Sequence, residues 1–244
     1  MSAMQLDTDI TMAFVESALA ELGGPSSLRL LEVGCGPGLL AQALAARGHR
    51  VVAIDSSEEA IAATRARGVD GRVARFPAFE DDDPFDAVLF TRSLHHIPPL
   101  RAAVTRAHEL LRPGGALILD DFAHDRVDRV TALWAFGYLK SLRALGLLHT
   151  EAFDDRSDPL ATWRRKYTVE HTLHGGQDML DALLLKFAVG PVQRSEYFYR
   201  YVCRDLDSHP RGREVAEAMR WAEVALVEEG VVQPIGLRLS ARAR

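Results

Sequence analysis

Eight residues, Leu31-Glu32-Val33-Gly34-Cys35-Gly36-Pro37-Gly38, carry the most chemically pointed spacing in the chain. Three glycines stand at alternate positions behind a carboxylate, and glycine lets a backbone adopt left-handed angles and pass close beneath a ligand. Asp55 closes the next apolar run, VVAID, 17 residues beyond Gly38. A carboxylate placed there can accept hydrogen bonds from both hydroxyls of a ribose. A dinucleotide loop spaces its glycines G-x-G-x-x-G so that a helix amino terminus can receive a pyrophosphate. Here the spacing is G-x-G-x-G, and Glu32 is an anion poorly placed beside a pyrophosphate but suited to a cationic ligand. A nicotinamide oxidoreductase is therefore the remote alternative. A tight turn with no ligand would leave Asp55 unexplained.

These residues need elements to hold them. From Leu28, short apolar runs alternate with helical ones: LRLLEV, GLLAQALAARG, VVAID, SSEEAIAATRARG, DGRVARF, FDAVLF, PPLRAAVTRAHELLRPGG and ALILDDF. That alternation predicts βαβ units, hence an α/β fold with a mostly parallel sheet and helices on both faces. Glu32 then ends the first strand and a helix begins at Gly38. Before this core, Asp9 to Leu22 places Ile10, Phe14, Val15, Ala18, Leu19 and Leu22 on one helical face and stops at Gly23-Gly24-Pro25. After Phe122 the regularity breaks: Val127 to Leu148 reads as a helix, Glu151 to Thr172 as a polar and aromatic stretch, and Gln177 to Phe187 as a second helix. Val192 to Cys203 and Gln233 to Arg242 read as strands flanking a helix over Arg211 to Glu229. The expectation is one domain in four parts: an amino-terminal helix over 1–24, a core over 28–122, a helical cap inserted over 123–190, and closing strands and helix over 191–244.

The combination E-x-G-C-G-P-G with an acid ending the next strand resembles the S-adenosylmethionine loop of the Rossmann-like (class I) methyltransferases. FDAVLF is similar to that family's fourth strand, TRSLHHI to the segment after it, and ELLRPGGALILDD to its helix and fifth strand. The Arg-Pro-Gly-Gly turn resembles that of small-molecule members of the ubiquinone and menaquinone biosynthesis type. The resemblance implies a seven-stranded sheet with S-adenosylmethionine as cofactor. Glu32, Gly34, Cys35 and Gly36, with Gly38 at the helix start, would line the methionine end. Asp55 would hold the ribose with Ser56 beside it, and Thr91 and Arg92 would touch the methionine part or the entering substrate. One departure stands out: the family commonly carries an acid after the third strand to accept from the adenine amino group, and PAFED has Pro77-Ala78 there. Phe79 could cover the ring while Glu80 or Asp81 reaches the amino group, or Glu80 to Asp83 could form a solvated turn.

In this family the segment after the fourth strand borders the methyl donor, which makes His95 and His96 the candidates for proton transfer. A base becomes useful when the acceptor is a hydroxyl, and histidine titrates close to working pH. His95 is the favoured one. Asp120-Asp121 resembles the metal-binding carboxylates of catechol-type methyltransferases, but Thr91 or Arg92 stands where a partner ligand is needed, so no metal is expected. His171 and His174 would share a helical face without a third ligand. Cys35 reads as a small packing residue rather than a nucleophile.

Between Phe122 and Tyr201 lie 12 of the chain's 18 aromatics, including Trp134, Phe136, Tyr138, Phe153, Trp163 and Tyr167. A cap so lined would suit a small apolar or aromatic acceptor, although Trp134, Phe136 and Tyr138 can equally pack the cap's own core. Trp163 to Lys166, WRRK, is a basic patch that could meet an acidic substrate group or form a solvated face. The 244 residues carry 29 Lys plus Arg against 34 Asp plus Glu, a net charge of -5 that offers little steering toward nucleic acid. There is no asparagine, which excludes an Asn-Pro-Pro-Tyr amino-methylation motif, and no Pro-Cys nucleophile. No apolar run reaches membrane-span length, and the first basic residue is Arg29, so the amino terminus lacks the charged opening of a secretory signal and an intracellular chain is expected. The reading is a cytoplasmic methyltransferase acting on an O- or C-acceptor, with a homo-oligomer left open. The alternative in a different class is a non-catalytic S-adenosylmethionine sensor or pseudoenzyme partner.

Overall fold

The computed structural model describes residues 2–23, 26–148 and 158–244. Phe153, the start of the Glu151 to Thr172 stretch and the Gly24-Pro25 stop lie outside the described residues. In chain order the elements are α1 (Ala3–Ala20), β1 (Arg29–Val33), α2 (Leu39–Ala46), β2 (Arg50–Asp55), α3 (Glu58–Ala66), β3 (Asp70–Val73), β4 (Phe85–Thr91), α4 (Leu100–Glu109) and β5 (Leu111–Phe122). There follow α5 (Arg129–Ala144), α6 (Pro159–Arg164), α7 (Gly176–Leu184), β6 (Phe187–Val189), β7 (Gln193–Ser195), α8 (Arg200–Cys203), α9 (Gly212–Glu228) and β8 (Gly236–Ala243). The main path of the sheet runs β3-β2-β1-β4-β5-β8-β6, with β7 an eighth strand off that path. The pairs β1–β2, β2–β3, β1–β4 and β4–β5 are parallel, and β6–β8 is antiparallel. The expected seven-stranded, mostly parallel sheet is thus present with one short strand more.

The described residues form two compact units. One comprises Ile10–Asp121, Gln177–Gln193 and Leu237–Arg244, and it holds the sheet's main path. Strand alternation divides its core into two layers. Leu31, Val33, Val52, Ile54, Val88 and Phe90 face one way with Val104 of α4 and Leu183 of α7. Leu30, Val51, Ala53 and Leu89 face the other with Val15 of α1, Leu44 of α2 and Ile61 of α3. Helices therefore cover both faces, as the βαβ pattern requires. The second unit comprises Met1–Asp9, Phe122–Gly176 and Arg194–Gly236. Its interior is aromatic: Phe122 stacks on Tyr197 with centroids 4.6 Å apart, Trp163 lies 5.5 Å from Phe198, and the Tyr167 and Tyr201 hydroxyls are 2.6 Å apart. Trp163 and Tyr167 are buried, while Trp134, Phe136 and Tyr138 are half-buried.

Several boundaries differ from expectation for local reasons. The helix expected to run to Pro-Gly-Gly ends at Glu109, because Leu111 already pairs with Phe85; the register then jumps to Ala87 opposite Ala116, so Arg112 to Gly115 form a bulge inside β5. Val192 to Cys203 is not one strand. Only Gln193–Ser195 is extended, since the backbone N–H groups of Tyr197, Phe198 and Tyr199 donate to the Glu223 carboxylate instead of to a neighbouring strand. Phe187, expected to end a helix, opens β6 opposite Ala243. His171 and His174 do not share a helical face, because the wide helical turn over Arg165–Glu170 ends before them and α7 starts after them.

Candidate active site

The strand order reverses between β1 and β4, so the connections leaving their carboxyl ends diverge and open a crevice. The glycine turn follows β1 into this crevice. Gly34, Gly36 and Gly38 have φ of 72°, 53° and 76°. The turn is tied to β2 by Gly34 and Cys35 N–H groups donating to the Ile54 carbonyl at 2.8 and 3.0 Å. Asp55 locks it further: one carboxylate oxygen accepts from Gly36 N–H at 3.0 Å, the other from Ser57 N–H at 2.9 Å. From below, the buried Thr64 hydroxyl of α3 donates to the Gly36 carbonyl at 3.0 Å. Thr64 sits 3.7 Å from Cys35 Sγ, and burial pushes the Cys35 thiol up to about 12. A thiol so neutral is a packing group.

A cavity of about 600 Å³ lies at this edge. Among the residues expected to hold the cofactor, Gly34, Asp55, Ser56 and Arg92 line it, and so does His96. Gly36, Gly38 and Cys35 shape the turn behind it without lining it. From the segment after β3, Arg75, Phe76, Pro77 and Ala78 also line it. Phe79 is not among them: it is 6% exposed in the core, and its carbonyl accepts from Arg106 Nε at 2.8 Å. Glu80 is exposed and off the cavity, and Asp81 is held by Arg29 and Arg72 at 2.9 Å each. This part of the lining is therefore formed a few residues upstream of where the acidic segment pointed.

Glu32 ends β1 beside this turn and is 2% exposed. The Thr91 hydroxyl donates to its Oε1 at 3.3 Å, whereas the buried Oε2 has no hydrogen-bond partner. Burial, opposed by the Thr91 bond and the Arg92 charge, raises its pKa from 4.5 to about 7. Arg92 stands at φ 60°, and its Nη1 donates to Thr11 Oγ1 at 3.4 Å. Thr11 in turn donates to Asp120, which also accepts from Arg238 Nε, both at 3.0 Å. The two adjacent aspartates thus separate in role. Asp120 belongs to this ion-paired network, and Asp121 faces His95: Oδ1 is 2.5 Å from Nδ1, and Oδ2 accepts the His95 N–H at 3.4 Å. His95 is buried and His96 exposed, with ring centroids 4.1 Å apart.

Ser93 escaped sequence reasoning. Its hydroxyl donates to the Val33 carbonyl at 2.6 Å, and it lies where a side chain on Gly34 would project. Nothing in TRSLHHI distinguishes that serine from a solvated one. Among the described residues no three His, Cys, Asp or Glu side chains gather as a metal site, and no helix is long and apolar enough to cross a membrane.

A family model described as a methyltransferase domain matches residues 8–154, more than half of the chain. The chain belongs to that family. The ubiquinone biosynthesis O-methyltransferase of Xylella fastidiosa is 35% identical over 150 residues, covering 57% of this chain and 60% of that protein. The chain's match thus spans less than two thirds of that relative's length. An S-adenosylmethionine-dependent methyltransferase from Mesorhizobium loti superposes with a TM-score of 0.59 at 20% identity, covering 93% of this chain and 96% of the other. The cyclopropane synthase MmaA2 of Mycobacterium tuberculosis gives 0.60 at 19% identity, covering 95% and 83%. At such identities these two structures establish the methyltransferase fold alone. The family membership that the E-x-G-C-G-P-G loop implied is thereby established.

Proposed function

We propose that the protein transfers a methyl group from S-adenosylmethionine to the oxygen of a small apolar or aromatic acceptor. The observation that carries this reading is Glu32. A buried carboxylate oxygen without a partner is costly, and an ammonium group arriving beside it removes that cost; the methionine end of S-adenosylmethionine bears one. Asp55 uses each oxygen once for a backbone N–H, which leaves lone pairs on both for ribose hydroxyls, with Ser56 adjacent. Gly34, Gly36 and Gly38 let the backbone turn beneath the ligand, Cys35 packs that turn, and Thr91 and Arg92 border the methionine part. On the adenine side the wall from Arg75 to Ala78 takes the place assigned to Phe79 and Glu80.

When bound, S-adenosylmethionine supplies a methyl carbon already made electrophilic by its sulfonium. The chain's share is alignment of the acceptor, exclusion of water and a place for the hydroxyl proton. His95 and His96 are the groups proposed for that proton. The O-methyltransferase relatives support oxygen as the accepting atom, and Ile97 and Pro98 in the cavity lining beside His96 support an apolar or aromatic acceptor. The proposed compartment is the cytoplasm.

Calorimetry with S-adenosylmethionine, its demethylated product and NAD, followed by labelled-methyl transfer to a panel of phenols and catechols, tests the proposal. Heat with the first two ligands and label on a phenolic oxygen are expected. No heat with either would sink the reading, and binding without transfer would make the chain a sensor.

A further inference from the structure

We infer that Arg75 reads the purine of the cofactor as a hydrogen-bond donor, so that the site admits a 6-oxo base as well as the 6-amino base of adenine. The inference rests on the proposed binding of S-adenosylmethionine. That ligand runs from an amino acid through a ribose to a base, and three neighbouring strands offer their ends in the same order. β1 carries Glu32 near its carboxyl end, β2 ends in Asp55, and the chain leaving β3 continues as Ala74 to Ala78. In the sheet these strands stand side by side as β3-β2-β1. The Ala74 N–H donates to the Asp55 carbonyl at 2.9 Å, which ties the segment after β3 to the residue that takes the ribose. The base therefore falls to Ala74, Arg75, Phe76, Pro77 and Ala78, all of which line the cavity.

Purines differ at position 6: an amino group there donates and needs an acceptor, whereas an oxo group accepts and needs a donor. Among the described residues lining the cavity Asp55 is the only carboxylate, and its place is at the ribose. The acids that follow the segment are turned elsewhere: Glu80 is exposed off the cavity, and Asp81 is held by Arg29 and Arg72 at 2.9 Å each. Ala74, Phe76, Pro77 and Ala78 bring no polar side chain, and Pro77 has no backbone N–H to give. Arg75 is the polar side chain that remains in the segment, and it is exposed, so its long stem can swing over the base. A guanidinium only donates. It pairs as a fork with O6 and N7 of an oxo purine, while adenine gives it N7 alone, so neither base is refused. Phe76 is half-buried and packs edge-on to Phe90 with centroids 5.5 Å apart. It supplies an aromatic face indifferent to the substituent at position 6.

The test is calorimetric binding of two ligands, S-adenosylhomocysteine and its deaminated analogue S-inosylhomocysteine, to wild type, Arg75→Leu and Arg75→Glu. Wild type should bind the inosyl ligand no more than about tenfold more weakly than the adenosyl one. Arg75→Leu removes the donor and should weaken the inosyl ligand by about tenfold more than the adenosyl. Arg75→Glu puts an acceptor in its place, which welcomes an amino group and repels an oxo group, and should move the ratio of the two Kd values toward adenosyl by about tenfold or more. A wild type that prefers the adenosyl ligand by more than that margin would overturn the inference, as would a smaller shift of the ratio in Arg75→Glu. Equal weakening of both ligands in the two variants would reduce Arg75 to a structural role, since damage to the fold cannot tell the bases apart; melting temperatures of the variants check the fold directly. If wild type binds neither ligand, the proposed cofactor itself fails, a result distinct from the others.

Discussion

Glu32 shows how burial turns one side chain into a pH-dependent binding group. Its pKa near 7 means that the unliganded protein holds a proton there at pH 6 and has mostly lost it at pH 8. An ammonium pairs only with the ionised form, so binding of S-adenosylmethionine should release a proton and tighten by about tenfold between pH 6 and pH 8. Calorimetry at the two pH values checks this, and Glu32→Gln should bind more weakly with a flat profile. The sign for stability is opposite. The folded state holds this proton more tightly than the unfolded state does, so the group's contribution is fully present below about pH 4.5 and is lost as pH rises through 7. Residues such as Glu32, Gly34 and Asp55 could be singled out because their residue types and spacing at two strand ends form a recognisable pattern, although their contacts come from far along the chain. Phe79 could not be told from Phe76 in that way. Which of two nearby phenylalanines meets a cavity depends on α4, whose Arg106 fixes the Phe79 carbonyl. Asp121 was visible as a carboxylate at a strand end, but its partner depends on the register of β4 against β5, which no spacing encodes.

The glycine turn is an element whose conformation and packing make separate demands. A side chain on Gly34 would put its Cβ 2.6 Å from Ser93 Cβ, and one on Gly38 would lie 2.6 Å from the Thr64 hydroxyl, whereas Gly36 has nothing within 4 Å. All three have positive φ, which costs an alanine about 1–2 kcal/mol. Overlap adds roughly 1–3 kcal/mol at the crowded positions. Gly36→Ala should therefore lower the melting temperature least, and Gly34→Ala and Gly38→Ala by about twice as much or more. Thermal melts of the three variants decide this; equal losses would mean that conformation alone sets the cost. The alternation of strands and helices was legible from Leu28 to Phe122 because β1, β2, β4 and the second half of β5 are largely buried and read as nearly continuous apolar runs. It failed over Val192 to Cys203, where an aromatic run resembling a strand is bent by a carboxylate from α9, far away in sequence.

At the scale of the molecule, both units draw on three separated stretches, but the sheet-bearing one has the continuous run Ile10–Asp121 with its βαβ segments, while the other has none so long. In the latter a single side chain does much of the joining. Glu223 of α9 is fully buried, accepts from three consecutive backbone N–H groups at 2.6, 2.8 and 3.4 Å, and is pushed up to about 7 by burial despite them. Glu223→Ala strands those donors, at about 1–3 kcal/mol for each one left unsatisfied. A loss of roughly 3 kcal/mol or more should follow, about 6–12 °C in melting temperature for a chain of this size. Glu223→Gln keeps one acceptor oxygen and should lose less. Hydrogen exchange distinguishes a local from a global effect: Tyr197 to Tyr199 should lose protection first, since their amides depend on that carboxylate directly. Amides of β1 and β4 draw their bonds from parallel neighbours in the sheet and should keep theirs if the two units open independently. Simultaneous loss at β1 would instead make the chain a single cooperative block, in which damage to the Glu223 joint reaches the glycine turn through global unfolding.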